Sequence, residues 1–118
     1  KAIGDSGKAR GLFQMHRGSW EQISEQRASN GQTEYSWFEY SMDRDVSTEY
    51  AIAYLEWISS RLEIALNRKP LPWEIYASYN VGLSAFLKIN CNFEKLPKHT
   101  QRACLKIAKL TQSSIPTL

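Results

Sequence analysis

Apolar side chains recur along this chain at the three- and four-residue intervals of a helix, not at the alternate positions of a strand. The longest run sets Ala51, Tyr54, Leu55, Ile58, Leu62 and Ala65 on one face, and Ser47 stands where an N-cap belongs. That helix is expected to end near Asn67, ahead of Pro70. Pro72 suits the first turn of the next helix, where its missing N–H would be unpaired anyway. This helix runs through Ile75, Tyr76 and Ala77 to Asn80 and breaks at Gly82. Leu83, Phe86 and Leu87 repeat the spacing as far as about Asn90, and Pro97 opens a last helix with Ala103, Cys104, Ile107, Ala108 and Leu110. Ser113-Ser114-Ile115-Pro116 ends it. Nearer the start, Ser19 and Gln22 resemble a capping box for a helix through Trp20 and Ile23 to about Arg27, stopped by Asn30-Gly31. Gln32 to Arg44 shows no period and reads as an irregular connection bearing Tyr35, Trp37, Phe38 and Tyr40. No segment reads as a strand. The expectation is a mainly α protein of about five or six helices, with residues 1–118 forming one domain.

Composition narrows the classes without choosing among them. A hydrophobic content of 42% with 23% charged residues belongs to a globular protein and not to a disordered chain. The net charge of +3 suits adsorption to an acidic polymer such as a bacterial wall, a membrane surface or nucleic acid, and equally suits an ordinary soluble surface. No basic run is dense enough to argue for nucleic acid, and no Trp20–Arg27 recognition face is rich in arginine. No apolar stretch approaches the roughly 20 residues that span a bilayer. The chain opens on Lys1 without a signal peptide, which reads as a processed product or a fragment. Cys91 and Cys104 are the only cysteines. A bridge between them would contribute about 3 kcal/mol, and two buried thiols are the equal alternative. Neither has a second cysteine or histidine at ligand spacing, so no metal and no cofactor is expected.

Two segments carry candidate chemistry. Gly4-Asp5-Ser6-Gly7 favours turns with positive φ and leads through Lys8-Ala9-Arg10 into Gly11-Leu12-Phe13-Gln14-Met15. Leu12 and Phe13 are expected in the core, holding Gln14 so that it presents an amide donor and a carbonyl acceptor. A plain loop before a helix reads the same residues without chemistry. The second segment, Ala77-Ser78-Tyr79-Asn80-Val81-Gly82, puts two polar groups at a helix C-terminus, where Tyr79 also suits a core position with its hydroxyl bonded to backbone.

Taken in order, Gly-Asp-x-Gly, Gly-Leu-Phe-Gln-Met, Ala51-x-x-Tyr54-Leu55 and Ser-Tyr-Asn-x-Gly resemble the soluble lytic transglycosylase and goose-type lysozyme superfamily over about Gly4 to Gly82. The resemblance implies a lysozyme-like, largely helical fold and cleavage of peptidoglycan between N-acetylmuramic acid and N-acetylglucosamine. Glycoside cleavage needs a protonated carboxyl whose pKa an apolar setting raises. In the family it is a glutamate ahead of the Gly-Asp loop, and only Lys1 to Gly4 precede Asp5 here. The general-acid glutamate is therefore expected upstream of Lys1. Glu21, Glu25, Glu49, Glu56, Glu63 and Glu74 occupy amphipathic helix positions and read as solvated.

By the same resemblance, Asp5 would hold the attacking water of an inverting hydrolase, or Ser6 would contact the substrate of a transglycosylase. A further aspartate of the goose-type pattern, two residues after the glutamine, is His16 in this chain. Gln14 would bond sugar substituents and Tyr79 would orient the acid or the N-acetyl group. Asn80 would fix local backbone or touch the glycan, and Met15 and His16 would line the cleft. Aromatic residues between Tyr35 and Tyr40 are candidates to stack on sugar faces, Trp37 fitting the core better. The expected function is thus a muramidase acting on peptidoglycan strands or chitooligosaccharides in an extracytoplasmic setting. The alternative is an inactive glycan-binding or scaffold domain of the same fold.

Overall fold

The computed structural model describes residues 3–4, 9–10 and 13–113. Its architecture is mainly α, as the hydrophobic spacing predicts. Packing divides the chain into residues 1–54 and 55–118, and each unit is taken in turn.

The first unit opens with three two-residue strands, β1 (Ile3–Gly4), β2 (Ala9–Arg10) and β3 (Met15–His16). They pair antiparallel in the order β1-β2-β3, with Ile3 opposite Arg10 and Ala9 opposite His16. The sequence reading contained no strand, because two residues are too few to display an alternating pattern. Helix α1 (Arg17–Ser29) follows directly and buries Trp20, Ile23 and Ser24. It begins two residues before the expected Ser19 cap. His16 holds the N-cap position without a side-chain bond, and Ser19 lies inside the helix. Gly31, at φ 72, continues the chain past the Asn30 C-cap in a conformation that suits glycine.

The supposedly irregular stretch 32–44 contains a helical turn, α2 (Trp37–Tyr40), and the start of α3 (Arg44–Leu66). Asp43, and not Ser47, supplies the cap, its carboxylate accepting the Val46 N–H at 2.9 Å. Ser47 is buried one turn in and donates to the Arg44 carbonyl. Ala51, Tyr54, Ile58 and Leu62 form the buried face of α3 as expected, while Ala65 is exposed.

Trp20 and Tyr50 stack at 3.8 Å between ring centroids in the core of this unit. The Tyr50 hydroxyl lies 2.6 Å from Ser24 Oγ and accepts the Tyr35 N–H at 3.0 Å. The Trp20 indole N–H donates to the Tyr35 carbonyl at 2.7 Å. Both peptide groups of Tyr35 are thereby satisfied from the core.

In the second unit, α4 (Pro72–Val81) packs on α5 (Leu83–Lys88) and on α6 (Lys98–Leu110), with a 3-10 turn at Phe93–Lys95. Gly82 separates α4 from α5 at φ 96, as its position predicted. Trp73 is the centre of the core, edge-on to Phe86 at 6.0 Å and to Phe93 at 5.8 Å. Cys91 and Cys104 are free thiols and not a bridge, and of the two only Cys104 is buried, Cys91 being half-buried. Cys104 is fully buried with its sulfur 3.6 Å from the Trp73 carbonyl.

Two outcomes follow from this packing. Tyr50→Phe takes away the acceptor of the Tyr35 N–H and the shorter of the two Ser24 Oγ bonds, so urea unfolding should show a loss of about 1–3 kcal/mol. Burial pushes the Cys104 thiol up to about 11 from its ordinary 9.0. A folded-state pKa raised in this way means that the folded protein holds its proton longer than the unfolded chain. The resulting stability is complete below about pH 9 and is lost as pH rises toward 11. Unfolding midpoints measured from pH 8 to 11 should fall more steeply in the wild type than in Cys104→Ala.

Candidate functional site

The Gly-Leu-Phe-Gln-Met segment ends in a turn at Phe13–Gln14 that enters β3 and then α1 without a spacer. Gln14 has φ 53, the left-handed region that a non-glycine residue enters at a cost, and it is half-buried. Pairing of Arg10 with Met15 fixes the strand on its far side. Phe13 is half-buried where a core position was expected. Asp5, Ser6 and Leu12 lie outside the described residues.

Met15 departs from its expected role. It is 3% exposed, so its side chain is part of the core and does not line an open cleft. Its backbone carbonyl accepts the Trp37 indole N–H at 3.2 Å, which puts Trp37 in the core as anticipated. His16 is exposed at the head of α1.

The second motif sits at the end of α4. Tyr79 is half-buried, and Asn80 is exposed with its side-chain oxygen accepting the hydroxyl of the buried Thr100 at 2.7 Å. That bond ties α4 to α6 and supports the backbone-fixing role for Asn80. Ser78 is fully buried, and its hydroxyl has no hydrogen-bond partner among the described residues. Gln14 and His16 belong to the first unit and Tyr79 and Asn80 to the second.

The glutamates divide differently from the expectation. Glu21, Glu25, Glu49, Glu56 and Glu63 are exposed. Glu74 is not solvated: only 3% exposed, it accepts both guanidinium nitrogens of Arg68 at 3.0 and 2.7 Å and the Leu71 N–H at 2.7 Å. Its oxygens face the first turn of its own helix and the loop before it. A helical wheel cannot show this, because the burial comes from the loop folding back.

An open groove of about 400 Å³ lies in the first unit, and spacing alone did not find it. Glu21 and Glu25, one turn apart on α1, form one wall with Arg17. Glu34, Tyr35 and Phe38 form the other. Phe38 is 57% exposed, and the Arg17 guanidinium lies 4.6 Å from its ring centre while pairing with Glu21 at 2.7 Å. Two exposed ions of this kind contribute little stability. The groove thus offers an aromatic face with three carboxylates and one guanidinium around it, a set that packs on the apolar face of a ring and accepts from its hydroxyl or amide groups. The signal in the sequence was Arg17, Glu21 and Glu25 at successive four-residue steps beside an aromatic segment.

Among the described residues no three histidine, cysteine or acidic side chains gather to hold a metal ion, and no helix is long and apolar enough to cross a membrane. No family model, curated protein or solved structure matches the chain.

Proposed function

We propose that this chain is a peptidoglycan-directed domain with muramidase chemistry, of lytic transglycosylase or lysozyme type, working outside the cytoplasm. The observation that carries the reading is the conformation of Gln14. A glutamine held at positive φ between a strand pair and a helix is a strained backbone position of the kind that gathers at ligand sites. In this reading Gln14 bonds sugar substituents, and Tyr79 orients the N-acetyl group or the acid. Asp5 holds the attacking water or Ser6 contacts the substrate, and His16 lines the cleft. The aromatic groove adds a surface on which a further sugar of the strand rests.

The alternative is glycan binding without turnover. Glu74 is the single buried carboxylate among the described residues, and Arg68 already pairs with it. A general acid needs the opposite setting, apolar and without a cation.

Digestion of purified peptidoglycan, with products identified by mass spectrometry, separates these readings. Anhydro-muramyl ends identify the transglycosylase, reducing ends the hydrolase, and tight binding with no released fragments the receptor. If there is turnover, Gln14→Ala and Tyr79→Phe should each lower it roughly tenfold to a hundredfold with melting temperatures little changed. Unaltered rates in both folded variants would remove those residues from the site. Phe38→Ala should weaken chitooligosaccharide binding by up to about tenfold, a loss of about 1.4 kcal/mol, as read by calorimetric titration. An unchanged affinity would exclude the groove.

A further inference from the structure

Charge is unevenly distributed along the sequence. Residues 55–118 hold nine lysines and arginines against four glutamates, a net of +5. Residues 1–54 hold six against eight acids, a net of −2. From Ile75 to Leu118 the one acidic side chain is Glu94, against Lys88, Lys95, Lys98, Arg102, Lys106 and Lys109.

Four of those six cations lie on α6, which contains no acidic residue. Lys98, Arg102, Lys106 and Lys109 follow at steps of four, four and three residues, within a sector of about 80° on a helix of 3.6 residues per turn. All four are exposed, and none forms a salt bridge with a described residue. The opposite face, Thr100, Cys104 and Ala108, is buried.

This arrangement works against the helix that carries it. Lys98 is the first helical residue, at the positive end of the helix dipole, and no acid offsets it in the first turn. Lys98 with Arg102, and Arg102 with Lys106, are like-charge pairs at the i,i+4 spacing that repels. A face that only needed to be wet would do better with acids interspersed. A polyanion bound along this face would relieve that repulsion.

We infer that the exposed face of α6 is a docking surface for a linear phosphate polymer that carries no aromatic bases. The four charges form a row about 16 Å long at a helical rise of about 1.5 Å per residue. Such a row engages several phosphates along a flexible chain and encloses none of them singly. Three of the four are lysines, point charges that accept phosphate from many directions, as a repeating polymer presents it. Single-stranded nucleic acid is a poorer fit, because α6 has no phenylalanine, tyrosine or tryptophan and offers a base only the His99 ring. A membrane surface is a poorer fit too. The apolar stripe of α6 is spent in the core, which leaves only Leu110 fully outside to enter a bilayer. The inference is independent of the carbohydrate reading.

The test is fluorescence anisotropy with labelled long-chain inorganic polyphosphate across a salt series. The wild-type chain should bind with a log–log salt slope of about −3, the value for four contacts on a flexible strand. The variant K98Q/R102Q/K106Q/K109Q should bind at least tenfold more weakly with a slope near zero. Its melting temperature should be equal or higher, because repulsion within the helix has been relieved. K69Q/K88Q, which removes two exposed cations elsewhere, should bind as the wild type does. Equal binding by the α6 variant would overturn the proposal. So would tighter binding, per unit of charge, to oligo-dT or to phosphatidylglycerol vesicles than to polyphosphate.

Discussion

Buried aromatic rings that carry a polar atom are useful to a small core only if that atom finds a partner. In residues 13–54 this requirement organises the chain. Trp20, Trp37 and Tyr50 each bring a polar hydrogen inside: the Trp20 indole meets the Tyr35 carbonyl, the Trp37 indole meets the Met15 carbonyl of β3, and the Tyr50 hydroxyl lies 2.6 Å from Ser24 Oγ. The Tyr50 hydroxyl also receives the Tyr35 N–H, so a residue without regular structure is held from both sides. One such donor left unpaired costs about 1–3 kcal/mol, a large part of the margin by which a domain this size is stable. Because Tyr35 is fixed, so is the wall of the groove that Glu34 and Phe38 share with α1.

The second unit meets the same requirement with fewer polar atoms. Trp73 meets Phe86 and Phe93 in near-perpendicular ring contacts, and its carbonyl receives the Cys104 thiol. The charged exception is Glu74. Burying a carboxylate is tolerable only when its oxygens are occupied, and here Arg68 and the Leu71 N–H occupy them. The pair clamps the loop between α3 and α4, a structural task that occupies both carboxylate oxygens.

Much of this was legible in the sequence, for identifiable reasons. Ala51, Tyr54, Ile58 and Leu62 announced α3 because burial on one helix face is a local, periodic property. Pro72 and Gly82 marked the ends of α4 because their backbone preferences hold in almost any context. What failed depended on contacts distant in sequence or too brief to have a period. The strands are two residues long, and α2 is a single turn held by Trp37 in the core. Ser47 and Asp43 are both acceptable caps, and only packing decides that Ser47 goes inside. For the same reason Met15 looked like a cleft residue, where its carbonyl and not its side chain does the visible work. Glu21 and Glu25 were recognised as exposed, but the loop that turns them into the wall of a groove could not be read from their spacing.

The summed charge of +3 was the least informative number in the sequence, because it averages two opposite surfaces. The groove in the first unit gathers Glu21, Glu25 and Glu34 around an aromatic face, with Arg17 the one cation among the described residues that line it. The α6 face in the second unit is wholly cationic. A neutral sugar is indifferent to long-range charge and is selected by ring stacking and hydrogen bonds at close range. A phosphate polymer is selected by charge alone, and salt weakens it steeply. The two surfaces therefore call for ligands of different chemistry, and a single assay in high salt would register only the first. The repulsion among the α6 cations would be relieved by a bound polyanion and is untouched by a neutral sugar.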